Sequence, residues 1–181
     1  MDLSVVVPCY NEEESVRELH RRVLDACKAA PKVKTFEIIL VNDGSKDRTL
    51  EILRELCNED PHVVAVNLSR NHGHQLALSS GLAEAKGDYI FVLDADLQDP
   101  PELLTPMLER AREGVDVVYG QRNERQGETW FKLICAKVFY RTLSFFSETP
   151  IPENVGDFRL MSRRVLDQLL AMPEQQRFIR G

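Results

Sequence analysis

The chain has 181 residues, of which 43% are hydrophobic and 29% are charged, and its formal net charge is −6. This is the composition of an ordinary globular protein, long enough for one α/β domain with a sizeable core. The negative charge argues against a general nucleic-acid binder, and no apolar run approaches the roughly 20 residues of a membrane-spanning helix. The four cysteines form no C-x-x-C pair, which is typical of reduced thiols in the cytosol.

The first half of the chain alternates between strand-like and helix-like segments. Short apolar runs rich in β-branched residues predict four buried strands, over Leu3–Val7, Phe36–Val41, Val63–Leu68 and Tyr89–Leu93. Apolar residues at helical spacing predict the intervening helices, over Glu12–Ala29, around Leu50–Cys57 and over Leu76–Lys86. Asn11 and Glu14 predict a capping box at the first helix. This alternation favours an α/β fold with a mostly parallel sheet flanked by helices.

Polar side chains follow each of these four strands, namely Tyr10 and Glu12, Asp43, Arg70 and Asn71, and Asp94 and Asp96. In parallel sheets, ligands bind beyond the carboxyl ends of the strands, which meet at one edge. We therefore expect these side chains to form one ligand site. The chain has neither a G-x-G-x-x-G nor a G-x-x-x-x-G-K-[ST] motif, so neither a typical dinucleotide fold nor a P-loop is indicated.

The segment Tyr89–Leu104, YIFVLDADLQDPPELL, contains the strongest chemical signal. Asp94, Asp96 and Gln98 follow the predicted strand, and all of them offer oxygen ligands. Oxygen ligands suit Mg²⁺ or Mn²⁺, which can also hold a diphosphate. A short D-x-D pattern alone is more often a solvated turn. The buried strand before it and the helix start at Pro100–Pro101 after it favour the metal site instead.

The second half of the chain predicts further elements of the same kind. We expect a helix from Leu103 to Gly114, strands over Asp116–Tyr119 and Phe158–Met161, and a helix from Ser162 to Ala171. Arg122 and Arg125 follow the first of these strands, which brings them near the same edge of the sheet as the predicted site.

A helix predicted over residues 129–146 contains the aromatic-rich run Trp130–Phe146, WFKLICAKVFYRTLSFF. It also carries the cations Lys132, Lys137 and Arg141. It can be a core helix with one basic face. It can also lie in a membrane interface, with its aromatic rings in the lipid and its cations at lipid phosphates.

Five blocks of the sequence carry a resemblance to a known family. They are VVVPCYNEEESV (Val5–Val16), VNDGSKDRT (Val41–Thr49), SRNHGHQLAL (Ser69–Leu78), GDYIFVLDADLQDPPE (Gly87–Glu102) and NVGDFRLMSR (Asn154–Arg163). Through them, essentially the whole chain resembles family 2 glycosyltransferases of the GT-A fold, and within these the polyprenyl-phosphate glycosyltransferases. That group includes dolichol-phosphate mannose synthases and bactoprenol glucosyltransferases, and the last block is most similar to the latter.

The resemblance implies a single GT-A (Rossmann-like) catalytic domain over residues 1–181. It implies an inverting, metal-dependent transfer of a sugar to a polyprenyl (undecaprenyl) monophosphate, with UDP-glucose favoured as donor. Bacterial relatives continue into two membrane helices. We therefore expect this chain to be the catalytic part of a protein anchored at the cytoplasmic face of the inner membrane, where it could form a homo-oligomer. One departure is Asn42, where the family usually has a second acid before Asp43.

The resemblance also implies roles for individual residues. The residues implied to hold the donor nucleotide are Pro8, Tyr10, Glu12, Asp43 and Asp94. Those implied to hold Mg²⁺ or Mn²⁺, and through it the diphosphate, are Asp94, Asp96 and Gln98. Those implied to bind the acceptor phosphate are Arg122, Arg125, Lys132 and Lys137, with Arg122 and Asp157 as the catalytic candidates. The helix over residues 129–146 then becomes the element that faces the membrane surface.

Two of these assignments have structural alternatives. Asp157 is either a base or orienting group near the acceptor, or a structural carboxylate paired with Arg163 or Arg164. His72 and His74 have the spacing of a metal pair, but the loop that carries them is better explained as the start of a helix beside the donor diphosphate.

Three competing functions remain at this point. A transferase for a polysaccharide or soluble acceptor would share the fold but not require lipid. A nucleotidyltransferase on a similar sheet would release pyrophosphate, whereas a glycosyltransferase releases a nucleoside diphosphate. A non-catalytic module would bind nucleotide without turnover.

Overall fold

The computed structural model describes residues 1–121 and 155–173. Its strands are β1 (Leu3–Cys9), β2 (Phe36–Asn42), β3 (Val63–Asn67), β4 (Tyr89–Val92), β5 (Val117–Gln121) and β6 (Val155–Ser162). Its helices are α1 (Val16–Ala29), α2 (Thr49–Glu59), α3 (His74–Glu84), α4 (Leu104–Arg112) and α5 (Arg163–Ala171). A short 3₁₀ helix over Pro101–Leu103 leads into α4.

The described strands form one sheet in the order β3-β2-β1-β4-β6-β5. The first four pair in parallel, which confirms the prediction made from their alternation with helices. The strand β6 pairs antiparallel with both β4 and β5. Its amino end therefore lies at the same edge as the carboxyl ends of the four parallel strands. This edge is where the predicted polar residues meet.

Helices cover both faces of the sheet because successive strand residues point to opposite sides. In β1, Val5 and Val7 belong to the core under α1, α2 and α4, whereas Val6 belongs to the core under α3 and α5. These strands are hydrophobic on both faces, as expected for a parallel sheet covered on both sides.

The helix α3 lies unusually close to the sheet at Gly81. A Cβ atom at this position would be 2.6 Å from Cγ1 of Val6 and 2.7 Å from Cγ2 of Val41. Only glycine allows this approach, so the seat of α3 on β1 and β2 is set by the absence of a side chain.

Two polar clusters stabilise the opposite edge of the sheet. Ser4 Oγ donates to Glu37 Oε1 at 2.7 Å and accepts the N–H groups of Lys86 and Gly87, and both Ser4 and Glu37 are buried. Before β3, the buried Asp60 carboxylate contacts the rings of two histidines, His20 Nε2 at 2.8 Å and His62 Nδ1 at 2.6 Å.

The boundaries of two helices differ from the prediction. The capping box at Asn11 and Glu14 is wrong, because α1 begins at Val16 after Ser15. Asn11 has a φ of 56°, and its side-chain oxygen accepts the N–H of Lys46 at 2.8 Å. It therefore joins two loops instead of capping the helix. The helix α3 begins at His74, two residues before its predicted start at Leu76. The predicted start of a helix at Ser162 is confirmed, since Ser162 caps α5 and its side chain accepts the N–H of Val165.

Candidate functional site

A cleft of ≈ 290 Å³ opens at the carboxyl edge of the parallel strands. Its lining includes all five residues predicted to hold the nucleotide, which are Pro8, Tyr10, Glu12, Asp43 and Asp94. It also includes Asn71, Gly73, His74 and Asp96. The turns after four strands thus contribute to one site, as the topology requires.

The turn after β1 is held by polar contacts to the loop after β2 and to the first residue of α2. The N–H of Asn11 donates to Ser45 Oγ at 3.0 Å, and the N–H of Glu12 donates to Thr49 Oγ1 at 2.8 Å. The Glu12 carboxylate accepts a short hydrogen bond from Ser15. Tyr10 is exposed at the mouth of the cleft, where its ring is available for contact with a planar base.

Asp43 connects the turn after β2 to the start of α3. Its buried carboxylate accepts the N–H of His72 at 2.7 Å on one oxygen and that of Gly73 at 2.9 Å on the other. Gly44, with a φ of 64°, lets the turn after β2 lie directly against the backbone of Arg70. A Cβ at Gly44 would be 2.3 Å from the carbonyl carbon of Arg70. Asp43 therefore fixes the loop before α3, and its remaining lone pairs are what it can offer a ligand.

The amino end of α3 faces the cleft. Its cap residue is Gly73, which has no side chain that could accept the first N–H groups, and Gly73 and His74 line the cleft. The first N–H groups of a helix and its dipole favour an anion. This matches the expectation that the loop is a helix start beside a diphosphate.

Asn42, the departure from the family pattern, is a structural residue in this chain. It is buried, its amide donates to Asn67 Oδ1 at 2.7 Å, and its oxygen accepts the N–H of Ser45 at 3.2 Å. In place of a second carboxylate, this chain has an uncharged Asn42–Asn67 hydrogen bond that joins β2 to β3.

The D-x-D segment folds into a tight turn after β4. Asp96 Oδ1 accepts the N–H of Gln98 at 3.0 Å, and the intervening Leu97 has a φ of 63°. The buried Asp99 carboxylate accepts the N–H of Asp94 at 3.3 Å. Asp94 and Asp96 line the cleft, while Gln98 is exposed and is absent from its lining. Asp99, which sequence reasoning overlooked, holds the base of this turn.

Two carboxylates, one in β6 and one in the turn after β4, meet at the side chain of His74. Its Nε2 lies 2.8 Å from Asp157 Oδ2 and 3.5 Å from Asp94 Oδ1. The pairing of Asp157 with Arg163 or Arg164 considered above is wrong. Asp157 contacts His74, with Arg159 at 3.7 Å, while Arg163 binds backbone carbonyls and Arg164 binds Asp116.

Negative charge is concentrated around Asp94. Burial raises the pKa of its carboxyl above the usual range, with the neighbouring carboxylates of Asp99, Asp157 and Asp96 adding to the effect and His74 opposing it. Such a cluster favours a cation, because a positive charge relieves both the burial and the repulsion.

The described residues fit a metal ion at this place. Ligand atoms of His74, Asp94 and Asp157 all lie within 4.8 Å of one another. Asp94 Oδ1 is buried and has no hydrogen-bond partner within residues 1–121 and 155–173. Carboxylate oxygens suit Mg²⁺ or Mn²⁺. This group shares only Asp94 with the predicted metal set of Asp94, Asp96 and Gln98, and its His74 was considered from the sequence only as half of a pair with His72.

Several predicted residues lie outside the described part of the chain. They are Arg122, Arg125, Lys132, Lys137 and the helix over residues 129–146. Within the part that the structure describes, no helix combines the length and the apolar character needed to cross a bilayer.

Comparison with known proteins gives the same glycosyltransferase family that the sequence motifs resemble. The model of the family "Glycosyl transferase family 2" matches residues 4–170. An uncharacterised glycosyltransferase of Synechocystis is 46% identical over 100% of this chain and 56% of its own length. A bactoprenol glucosyl transferase of Shigella phage SfV is 39% identical over 100% of this chain and 58% of its own length. The chain thus spans little more than half the length of these relatives.

A solved structure of glucosyl-3-phosphoglycerate synthase from Mycobacterium tuberculosis also matches, with a TM-score of 0.59 and 26% identity. The match covers 93% of this chain and 59% of that one. That enzyme was crystallised with Mn²⁺, UDP and glucosyl-3-phosphoglycerate.

Proposed function

Because the chain belongs to glycosyl transferase family 2 and has its GT-A fold, we propose that it catalyses inverting, metal-dependent sugar transfer to a polyprenyl monophosphate. The donor in this proposal is UDP-glucose, and the acceptor is undecaprenyl phosphate. The observation that carries it is the convergence of Tyr10, Glu12, Asp43, Asp94 and Asp96 on one cleft at the carboxyl edge of the sheet. The bactoprenol glucosyl transferase at 39% identity supports this acceptor and this sugar.

The donor nucleotide would occupy the cleft, with its base near Tyr10 and its ribose and base contacts supplied by Pro8, Glu12 and Asp43. The exposed ring of Tyr10 offers stacking, and carboxylates accept hydrogen bonds from ribose hydroxyls or base N–H groups. The relative from M. tuberculosis, with UDP and Mn²⁺ bound, supports this class of ligand.

Asp94, Asp96 and Gln98 would hold Mg²⁺ or Mn²⁺ together with the diphosphate. When bound, such an ion neutralises charge on the leaving nucleoside diphosphate and orients it. The chain's own contribution is to keep Asp94 half-buried, with its backbone held by Asp99, and to direct the amino end of α3 towards the same cleft.

The acceptor phosphate has a second pKa of about 6, so it is largely dianionic at neutral pH and can attack the anomeric carbon without a strong base. It does need cations, because it must approach a negatively charged donor. We assign this task to Arg122, Arg125, Lys132 and Lys137, with Arg122 closest to the reaction. Asp157 then acts as an orienting carboxylate. The helix that the sequence predicts over residues 129–146 would lie on the membrane surface, at the cytoplasmic face of the inner membrane.

The test is transfer of labelled glucose from UDP-glucose to undecaprenyl phosphate in detergent with Mn²⁺. We expect a labelled lipid product and release of UDP. Parallel reactions replace UDP-glucose by UDP-N-acetylglucosamine or by GDP-mannose, and we expect less labelled lipid from either donor. An Asp94→Asn variant, which keeps the side chain's size, controls for background. Transfer to water-soluble acceptors in the absence of lipid would contradict the proposed lipid acceptor. Release of pyrophosphate would contradict sugar transfer and indicate a nucleotidyltransferase. Binding of the donor without turnover would contradict an enzymatic function.

A further inference from the structure

Asn11 lies between two residues of the donor cleft without lining the cleft itself. Its neighbours Tyr10 and Glu12 both belong to the lining, whereas Asn11 lines an adjacent hollow together with Lys46. Asn11 has a φ of 56°, in the left-handed region that residues other than glycine rarely adopt. A residue held in this conformation beside a binding site is a candidate for setting the geometry of that site.

Two hydrogen bonds hold Asn11 in this conformation. Its N–H donates to Ser45 Oγ at 3.0 Å, and its side-chain oxygen accepts the N–H of Lys46 at 2.8 Å. Both partners belong to the loop after β2, so Asn11 is tied to that loop through its backbone and through its side chain. Asparagine suits the position because its side chain supplies an acceptor while its backbone tolerates a positive φ.

The loop that holds Asn11 is itself anchored to the sheet. The N–H of Ser45 donates to Asn42 Oδ1 at 3.2 Å, and the buried Asn42 side chain donates to Asn67 Oδ1 at 2.7 Å. Asn42 is the last residue of β2, and Asn67 is the last residue of β3. A continuous series of hydrogen bonds therefore runs from these two strands through Ser45 to Asn11.

The two neighbours of Asn11 depend on it to different extents. Glu12 has its own supports, because its N–H and its carboxylate both make hydrogen bonds outside this series. Tyr10 is 41% exposed, so little packing restrains its ring. The peptide group that joins Tyr10 to Asn11 carries the N–H bonded to Ser45, so this bond acts directly on the direction in which the Tyr10 side chain leaves the backbone.

We propose that Asn11 is a positioning residue that directs the ring of Tyr10 to the mouth of the cleft, where the base of the donor nucleotide binds. Its left-handed backbone sets the course of the chain after Tyr10, and its bonds to Ser45 and Lys46 hold that course. The ring is thereby oriented before the nucleotide arrives, so binding does not have to order it. The inference rests on the proposed function, in which Tyr10 stacks on the base.

The test is a double-mutant cycle, measured by calorimetric titration of UDP in the presence of Mn²⁺. The four proteins are the unmodified chain, Tyr10→Ala, Asn11→Gly and the double variant. Glycine adopts a positive φ without strain, so Asn11→Gly removes the side-chain bond to Lys46 and the restraint on the backbone but introduces no clash.

Stacking of an aromatic ring on a base contributes a factor of about 5 to 150 in affinity, and we expect Tyr10→Ala to weaken UDP binding within this range. We expect Asn11→Gly to weaken it about 2- to 10-fold, which corresponds to the cost of ordering one side chain on binding. The double variant should bind within about twofold of Tyr10→Ala, because a ring that is absent cannot be misdirected.

Two further variants complete the design, and circular dichroism spectra verify that each variant is folded. Ser45→Ala removes the acceptor of the Asn11 N–H and should weaken UDP binding about 2- to 10-fold, again only while Tyr10 is present. It provides the same test should Asn11→Gly not fold. Lys32→Gly is the matched control and should bind UDP normally, because Lys32 also has a positive φ, of 65°, but is exposed in the loop before the amino end of β2.

Losses that multiply in the double variant would overturn the inference, because they would show that Asn11 affects the nucleotide independently of Tyr10. Normal UDP binding by Asn11→Gly and Ser45→Ala would also overturn it. Unchanged binding by Tyr10→Ala would remove the ring from the donor site and overturn the inference, while the remainder of the proposed function would stand. If the unmodified chain bound no UDP, the proposed function would fail, and the inference with it.

Discussion

Replacement of Gly81 by alanine should destabilise the protein, although the same change usually stabilises a helix. In an unhindered helix, alanine is favoured over glycine by about 1 kcal/mol. Here the new Cβ would lie 2.6 Å from Val6 and 2.7 Å from Val41, whereas optimal carbon–carbon separations are about 3.5–4.0 Å. Because both valines are buried in central strands, α3 must move outward by roughly 1 Å.

Overpacking of this kind costs about 1–3 kcal/mol. Subtracting the propensity gain leaves a net loss of about 0–2 kcal/mol for Gly81→Ala. Gly81→Val should cost more, because it adds volume and a β-branched side chain. The assay is urea unfolding followed by circular dichroism, with stability taken from the midpoint and slope.

The matched control is Ala83→Gly in the same helix, at an exposed position. It measures the propensity difference alone and should cost up to about 1 kcal/mol. A Gly81→Ala protein that is more stable than the parent by that same amount would refute the close seating of α3. Since α3 carries His74, such a result would also weaken the geometry assigned to the site.

Three further predictions concern other parts of the molecule. Ser4→Ala should lower the free energy of unfolding by about 1–3 kcal/mol, because it removes the hydroxyl that donates to the buried Glu37 and leaves the N–H of Gly87 without its partner, while Lys86 keeps its bond to Glu37; an unchanged urea midpoint would contradict this. The pKa of Asp60 is lowered: burial alone would raise it, but hydrogen bonds from His62 and a second histidine outweigh burial. Its contribution to stability is therefore present above the ordinary aspartate pKa and is lost as pH falls below about 4, so unfolding free energies should fall more steeply with acid in the parent than in Asp60→Asn. Asp96→Ala should weaken Mn²⁺-dependent UDP binding and leave the urea midpoint unchanged, because this side chain is exposed, and unaltered metal-dependent binding would exclude Asp96 from the site.

The parallel half of the fold was predictable because its signals are local. Each strand is a short apolar run, each helix repeats its apolar residues at helical spacing, and each polar turn follows a strand directly. The topological rule for parallel sheets then brings Asp43 and Asp94 to one edge. The strands, helices and turns of this half can therefore be predicted without knowing which distant residues contact each other.

The remainder depends on contacts between distant segments. The antiparallel insertion of β6 beside β4 brings Asp157 close to Asp94, and no periodicity in the chain encodes that pairing. The sequence predicts the start of α3 at Leu76, whereas the helix begins at His74, directly after the two N–H groups that Asp43 accepts. Asn11 had the sequence of a helix cap, but a tertiary contact with Lys46 took precedence.

The donor site is the central claim, and calorimetric titration with UDP, GDP and CDP, each with and without Mn²⁺, tests it most directly. We expect UDP to bind more tightly than the other two and its affinity to rise when Mn²⁺ is present. Absence of binding by all three nucleotides, or binding of UDP that is indifferent to the metal, would contradict the assignment of this cleft to a metal-bound nucleotide sugar.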